Sequence, residues 1–180
     1  MSFSFSPLSI EGCFEILPTV SKDIRGEFIK TFHVEMFQEQ GLYLNFAEEF
    51  YSVSKYGVLR GMHFQVPPYE HTKLVYCTEG SVLDVLLDLR KKSKTYRKSL
   101  SLELSYEKKN MIYIPTGVAH GFCTLSHSST MIYKTSKVYN PQADVGILWS
   151  SFDFTWPIEK PILSERDQAH QLLSQFVSPF

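Results

Sequence analysis

Gly57-Val58-Leu59-Arg60-Gly61-Met62-His63-Phe64-Gln65, answered further along by Ile114-Pro115-Thr116-Gly117-Val118-Ala119-His120-Gly121-Phe122, is the pair of stretches from which the fold is read. Each is an apolar strand pattern tightened by glycines, and each delivers one histidine toward what should be the inside of a small β-barrel. Two imidazoles in a largely apolar cavity are candidates for proton chemistry or for metal binding.

Around these blocks, runs rich in Val, Ile, Leu, Phe and Tyr recur between turn signals at 12–17, 27–32, 49–54, 73–77, 81–89, 98–104, 111–114, 121–125 and 130–135. Short strands at this cadence, with almost no helical periodicity among them, predict an all-β fold of the jelly-roll barrel type with short flanking helices. One helix is expected over 33–40, with Val34 and Phe37 on its apolar side and Gly41 as its C-terminal stop. A C-terminal helix is expected to open at Ser164-Glu165-Arg166-Asp167, where a hydroxyl cap precedes an acidic residue three positions on, and to run through residue 173. The lysine-rich stretch 90–94 reads as a solvated hairpin loop.

A chain of 180 residues with 43% hydrophobic content can bury one full core, so a single domain over 1–180 is expected. Its 18 basic and 19 acidic side chains leave a net charge of -1, which gives no global electrostatic reason to bind nucleic acid or an anionic membrane. Any anionic ligand must be held by a local basic cluster. Three cysteines without CxxC spacing argue against a disulfide framework or a zinc knuckle and point to a reducing cytoplasmic compartment. No secretory leader pattern and no run long enough to cross a bilayer is visible. The 14 Phe and 10 Tyr suit a β-rich core and stacking surfaces for planar ligands.

The glycines ahead of His63 and the Pro115-x-Gly117-x-x-His120 spacing resemble the cupin pattern, whose barrel usually holds a metal on three histidines and a glutamate. Here Gln65 stands where a second histidine would follow His63, and Lys73 comes close behind on an apolar strand, although Glu70 keeps a ligand-like spacing. Losing an imidazole and gaining an inward ammonium weakens a divalent site on both ligand and charge grounds, so no metal is expected. A metal-dependent cupin oxygenase on His63, Glu70 and His120 is the alternative from another class, and a catalytically silent sugar-nucleotide binding module is a third.

Without a metal the cavity still offers His63, Lys73, His120 and, from a neighbouring strand, Tyr133. A neutral histidine takes a proton, an ammonium stabilises an oxyanion, and a tyrosine returns a proton from another direction. Together they suit proton abstraction beside a carbonyl. A histidine acting as base also needs a carboxylate on its other nitrogen, for which Asp167 and Asp84 are the candidates. His33, His127 and His170 have no such context and read as surface residues.

At Asp23-x-Arg25-Gly26, Gly57 through His63, Lys73-Leu74-Val75, Gly80 through Arg90, Ile114 through Phe122, Tyr133-Lys134, Tyr139-x-Pro141, Gly146-Ile147-x-Trp149 and Leu163-Ser164-x-x-Asp167, the chain resembles the dTDP-4-dehydrorhamnose 3,5-epimerases in unbroken order. The resemblance implies a cofactor-free, homodimeric cupin acting in the cytoplasm on a nucleotide-linked 4-keto hexose or heptose, in synthesis of surface polysaccharide such as lipopolysaccharide or capsule. It implies that His63, paired with Asp167, removes the proton next to the ketone. Lys73 would stabilise the enolate, and Tyr133 would reprotonate from the opposite face at C3, C5 or both. Inversion of one carbon alone is the close rival. Arg25, Arg60 and Lys134 would hold the diphosphate, arginine's fork being suited to its oxygens. Phe28, from the partner subunit, and Tyr139 would contact nucleotide or sugar.

Departures from the family pattern fall in the same region. Where the family usually carries Gln-x-Asn the chain has Glu48-Glu49-Phe50, and where Gln-x-Lys is usual it has His71-Thr72-Lys73. A carboxylate in place of an amide loses donors and gains acceptors. Glu48 is therefore a candidate acceptor for the N–H edge of guanine, which would make the substrate GDP-linked rather than dTDP-linked. Phe50, Gln65, His71 and His120 complete the expected substrate-binding set, with Asp84 behind His120.

Overall fold

The computed structural model describes residues 2–42 and 45–180. The strands are β1 (Phe3–Pro7), β2 (Phe14–Pro18), β3 (Val20–Asp23), β4 (Gly26–Ile29), β5 (Glu48–Lys55), β6 (Leu59–Gln65), β7 (Lys73–Glu79), β8 (Ser81–Asp88), β9 (Ser99–Ser105), β10 (Met111–Ile114), β11 (Val118–Thr124), β12 (Ser128–Thr135) and β13 (Asp144–Gly146). They form a six-stranded sheet in the order β1-β2-β10-β7-β12-β5, facing a five-stranded sheet in the order β13-β6-β11-β8-β9, with β3 and β4 as a separate hairpin. This is the expected all-β jelly roll.

Period-two alternation explains which face each strand buries. Along β8, Val82, Leu86 and the polar Asp84 turn inward between the sheets, while Val85 and Leu87 turn outward to a second apolar layer. Val75, Cys77, Ile112, Phe122, Met131 and Tyr133 complete the inner layer. The outer layer is closed by the C-terminal segment, through Trp156, Leu173 and Phe176. A third cluster gathers around Phe37, on which the rings of Phe3, Phe5 and Phe32 converge.

Helix α1 (Val34–Glu39) lies within the expected 33–40 segment, and Gly41 follows in the left-handed region at φ 72. The C-terminal helix is shorter than expected. Ser164 caps it by accepting from Asp167 N–H, but α2 (Glu165–Gln168) ends after four residues, and a separate 3₁₀ turn covers Leu173–Gln175. The interruption has a cause in tertiary pairing: Gln171 is drawn into a parallel bridge with Ile147, whose neighbour Leu148 donates its N–H to Gln171 O at 2.8 Å. β1 had its signal in the Phe3-Ser4-Phe5-Ser6 alternation, which pairs Phe5 with Ile16.

Strands β6 and β11 lie side by side, with His120 directly opposite His63. Their register then slips between His120 and Phe122, so that Phe122 rather than Cys123 meets its partner at Arg60. A bulge of this kind resets the alternation. It lets Arg60 and His63, an odd number of residues apart, face one cavity while Leu59, Met62 and Phe64 pack outward. The strands also approach closely here, because a Cβ on Gly61 would stand 2.5 Å from Gly121 Cα.

Candidate active site

The cavity between the sheets holds about 350 Å³ and is walled by β5, β7 and β12 on one side and β6 and β11 on the other. His63, Lys73, His120, Tyr133, Glu48, Phe50, Arg60, Gln65, His71 and Tyr139 all line it. Ser52, Thr135, Lys137, Asp144 and Arg166 join them without having been singled out from the sequence. Ser52 and Thr135 were within reach of strand alternation, lying two residues from Phe50 and Tyr133. Lys137, Asp144 and Arg166 lie outside any long strand and gave no periodic signal.

Each central imidazole has its own carboxylate. His63 Nε2 meets Asp167 Oδ1 at 2.5 Å, and His120 Nε2 meets Asp84 Oδ2 at 2.7 Å. A carboxylate accepts only, so in the neutral rings Nε2 carries the proton and Nδ1 the free lone pair. Burial pushes the pKa of His63 below the ordinary histidine value, against the raising effect of Asp167, so the ring is a neutral base. Burial also works against the Asp167 charge, but the His170 and His63 rings beside it, the latter hydrogen-bonded, hold its carboxyl well below the usual carboxylate range. Asp84, fully buried, is pushed upward by desolvation despite its bond to His120.

Lys73 opens β7 with only 8% of its surface exposed, and its Nζ donates to His63 O at 3.2 Å. Burial lowers its pKa from 10.5 to about 8, with Asp144 and Asp84 opposing the shift. Tyr133 stands in the opposite sheet from His63, its hydroxyl 3.1 Å from Ser52 Oγ and its ring stacked on Phe50 with centroids 4.8 Å apart. Burial raises the phenol well above its ordinary value, so it stays protonated and is a donor.

A fixed hydrogen-bond chain sets the state of His71. Gln65 Oε1 accepts from Asn140 N–H at 2.6 Å, which makes Gln65 Nε2 the donor toward Tyr69 O at 2.8 Å and His71 Nδ1 at 2.9 Å. His71 Nδ1 therefore accepts, and the proton of the neutral ring sits on Nε2. Burial, with the Lys73 and Lys137 charges, pushes this ring's pKa down to about 3, so it remains neutral. Its Nε2–H is buried and has no partner among the described residues.

Three expected ligands lie elsewhere. Lys134 follows Tyr133 on β12 and so points to the other face, where it pairs with Glu49 at 2.9 Å over the Phe46 ring. Lys137, beyond the strand, lines the cavity in its place and pairs with Glu70 at 3.3 Å. Arg25 and Phe28 sit on the β3–β4 hairpin, away from this chain's own cavity, with Arg25 held by Asp23 through Nε contacts at 3.1 Å. Phe28 is 57% exposed. Arg60 is at the cavity, steadied by Ser54 Oγ at 3.0 Å and Val53 O at 3.3 Å, neither of them an anion.

The metal set His63, Glu70 and His120 is not assembled, since the two rings bind different carboxylates and Glu70 pairs with Lys137. His63, Asp167 and His170 do bring ligand atoms within 4.8 Å of one another. That cluster is hydrogen-bonded through the 2.5 Å His63–Asp167 contact, and Lys73 sets a buried positive charge beside His63, a poor environment for a cation. His170 is a correction to the sequence reading: its side chain is only 9% exposed and lies 3.3 Å from Asp167 Oδ1. His127 is exposed as expected, whereas His33 is half-buried at the start of α1. The arrangement can abstract a proton at Nδ1 of His63, quiet an oxyanion with Lys73, and return a proton from Tyr133 across the cavity. No helix among the described residues is long and apolar enough to cross a membrane.

The family model described as dTDP-4-dehydrorhamnose 3,5-epimerase matches residues 7–175. The chain is 43% identical over 153 residues to a dTDP-4-dehydrorhamnose 3,5-epimerase of Shigella flexneri, covering 83% of this chain and 84% of that one. It is 39% identical to a dTDP-4-dehydrorhamnose 3-epimerase of Streptomyces niveus, covering 94% and 83%. Among solved structures, the Legionella pneumophila dTDP-6-deoxy-D-glucose-3,5-epimerase in complex with dTDP-4-keto-L-rhamnose superposes with a TM-score of 0.93 at 32% identity, covering 97% and 95%.

Proposed function

The chain belongs to the dTDP-4-dehydrorhamnose 3,5-epimerase family, and from that premise we propose that it inverts C3 and C5 of a dTDP-linked 4-keto hexose without a cofactor. The observation that carries the reading is the placement of His63 and Tyr133 in opposite sheets across one cavity. Inversion needs a proton taken from one face of the sugar ring and delivered to the other.

In this reading Nδ1 of His63 removes the proton beside the ketone, and the C–H electron pair moves onto O4 as an enolate. The Lys73 ammonium, charged below about pH 8, stabilises that oxygen. As the enolate collapses to the ketone, the Tyr133 hydroxyl protonates the carbon from the far side; solvent then takes the proton from His63 and reprotonates the Tyr133 phenolate, restoring both groups for the second carbon. The C4 ketone acidifies both C3 and C5, so the same groups serve both carbons. Arg60 and Lys137 supply positive charge for the diphosphate, and the neutral His71 Nε2–H supplies a donor for a substrate oxygen.

A second reading concerns the base. Glu48 lies at the cavity and uses Oε2 to accept from Tyr139 N–H at 2.6 Å, leaving Oε1 as an acceptor for the N–H edge of guanine in a GDP-linked substrate. The exposed β3–β4 hairpin and the outward Tyr51 and Val53 of edge strand β5 support a homodimer in which Arg25 and Phe28 serve the partner's cavity. The deciding experiment incubates the protein in heavy water with 4-keto hexoses linked to dTDP, GDP and CDP and follows them by NMR and mass spectrometry. Deuterium at both C3 and C5 of the dTDP-linked sugar, with inversion, is the expected result. Label at C3 alone would make it a single-carbon epimerase, preference for GDP would favour the guanine reading, and absence of exchange from every sugar would reject epimerisation.

A further inference from the structure

His170 reaches the base through Asp167. Its Nε2 lies 3.3 Å from Asp167 Oδ1, the same oxygen that holds His63 Nε2 at 2.5 Å. The two imidazoles stand edge to face at 78°, with centroids 5.4 Å apart. Its approach is off the hydrogen-bond axis, so Nε2 is buried without a well-formed partner. The ring's seat is built into the sheet: a Cβ on Gly146 would stand 2.4 Å from His170 Nε2, and Gly146 is the β13 residue paired with His63. Only a residue without a side chain leaves room for this imidazole against the base.

We propose that His170 is a positioning residue for the epimerisation argued above, sharing the Asp167 oxygen and so limiting how firmly Asp167 holds a proton on His63. A carboxylate that faces two N–H groups is a weaker acceptor for either one. His63 then becomes neutral at lower pH and gives up its captured proton more readily. The other charged groups facing this cluster are Lys73 from β7 and Arg166 from α2, the latter paired with Asp144 of β13 at 2.5 Å.

The inference rests on the proposed reaction, so its test includes a measurement independent of turnover. The titration of His63 is followed by NMR in the wild type, H170A and H170Q, beside the acid limb of kcat/KM. In H170A the midpoint of His63 should rise by roughly half a pH unit or more. The acid limb should rise with it, and kcat should fall about three- to tenfold at unchanged KM. H170Q keeps an N–H near Asp167 and should shift His63 less while recovering most of kcat. In a D167N background, adding H170A should leave His63 where it was, because the route through the carboxylate is gone. An unmoved His63 in whichever His170 variant folds, or a shift that persists in D167N, overturns the proposal. Shifts by NMR in a protein that epimerises nothing would leave the coupling intact and remove the proposed function instead.

Discussion

Replacing Lys73 with methionine separates what its ammonium does for the reaction from what it does to the fold, and the size of the second effect follows from where the side chain sits. In the unfolded chain the amine titrates near 10.5, and in the folded protein near 8. At ~1.4 kcal/mol per pH unit, the displacement from 10.5 to about 8 means that the charged form weighs against folding by about 3 kcal/mol at neutral pH. Between those pH values the unfolded chain keeps a proton that the folded chain has released, so wild-type stability climbs as pH rises from about 8 toward 10.5. Below that window both states are protonated and the burden is constant. Methionine preserves the apolar stem and carries no charge at any pH, but it leaves the His63 carbonyl without its donor, which costs about 1 kcal/mol. K73M should therefore be more stable than wild type by roughly 2 kcal/mol at pH 7, with the advantage gone by pH 10.5. Its turnover should fall by about two to three orders of magnitude, because the proposed reaction assigns the enolate oxygen to this ammonium. Urea unfolding of both proteins at pH 7 and pH 10.5, with matching m values, reads the difference. A variant less stable than wild type at pH 7, or one whose advantage is equal at both pH values, would refute the reasoning.

Two other substitutions probe the cavity and its scaffold. Y133F removes the only proton in the argument that comes from the six-stranded sheet. Solvent deuterium should still enter the substrate while net inversion drops by about a hundredfold, and equal loss of the two in the NMR assay would exclude the donor role. G61A sets a Cβ 2.5 Å from Gly121 Cα at a backbone φ of +134, whereas Gly26, at φ +121, has nothing within 4 Å. Calorimetry should show G61A destabilised by about 3 kcal/mol or more and G26A by only about 1 kcal/mol; similar values for the two would remove the close strand approach as the cause.

The fold was legible because period two is a strong signal, and the outward and inward residues of β7, β8 and β12 follow it. The same rule could have moved Lys134 out of the site, since it neighbours the inward Tyr133, but family resemblance placed it with the diphosphate. Arg60 shows the reverse. Strict alternation would have turned it away from His63, and only the register slip opposite Gly121 brings both to one wall. His170 was hidden for another reason. Its value comes from a helix that stops early and from the absent side chain of Gly146, and neither is local to the histidine. Arg25 and Phe28 were assigned to a substrate that their own chain does not bring to them.

The hydrogen bond between His63 and Asp167 spans 104 residues of sequence, and the carboxylate is presented by a four-residue helix close to the end of the described chain. During synthesis, His63 leaves the ribosome long before its carboxylate does, so both sheets can be threaded and paired around an imidazole that nothing yet aims. A translation product stopped before Asp167 would lack this carboxylate and also the Leu173 and Phe176 side chains that close the outer layer, so turnover reports on the docking of the C-terminal segment as well as on the barrel.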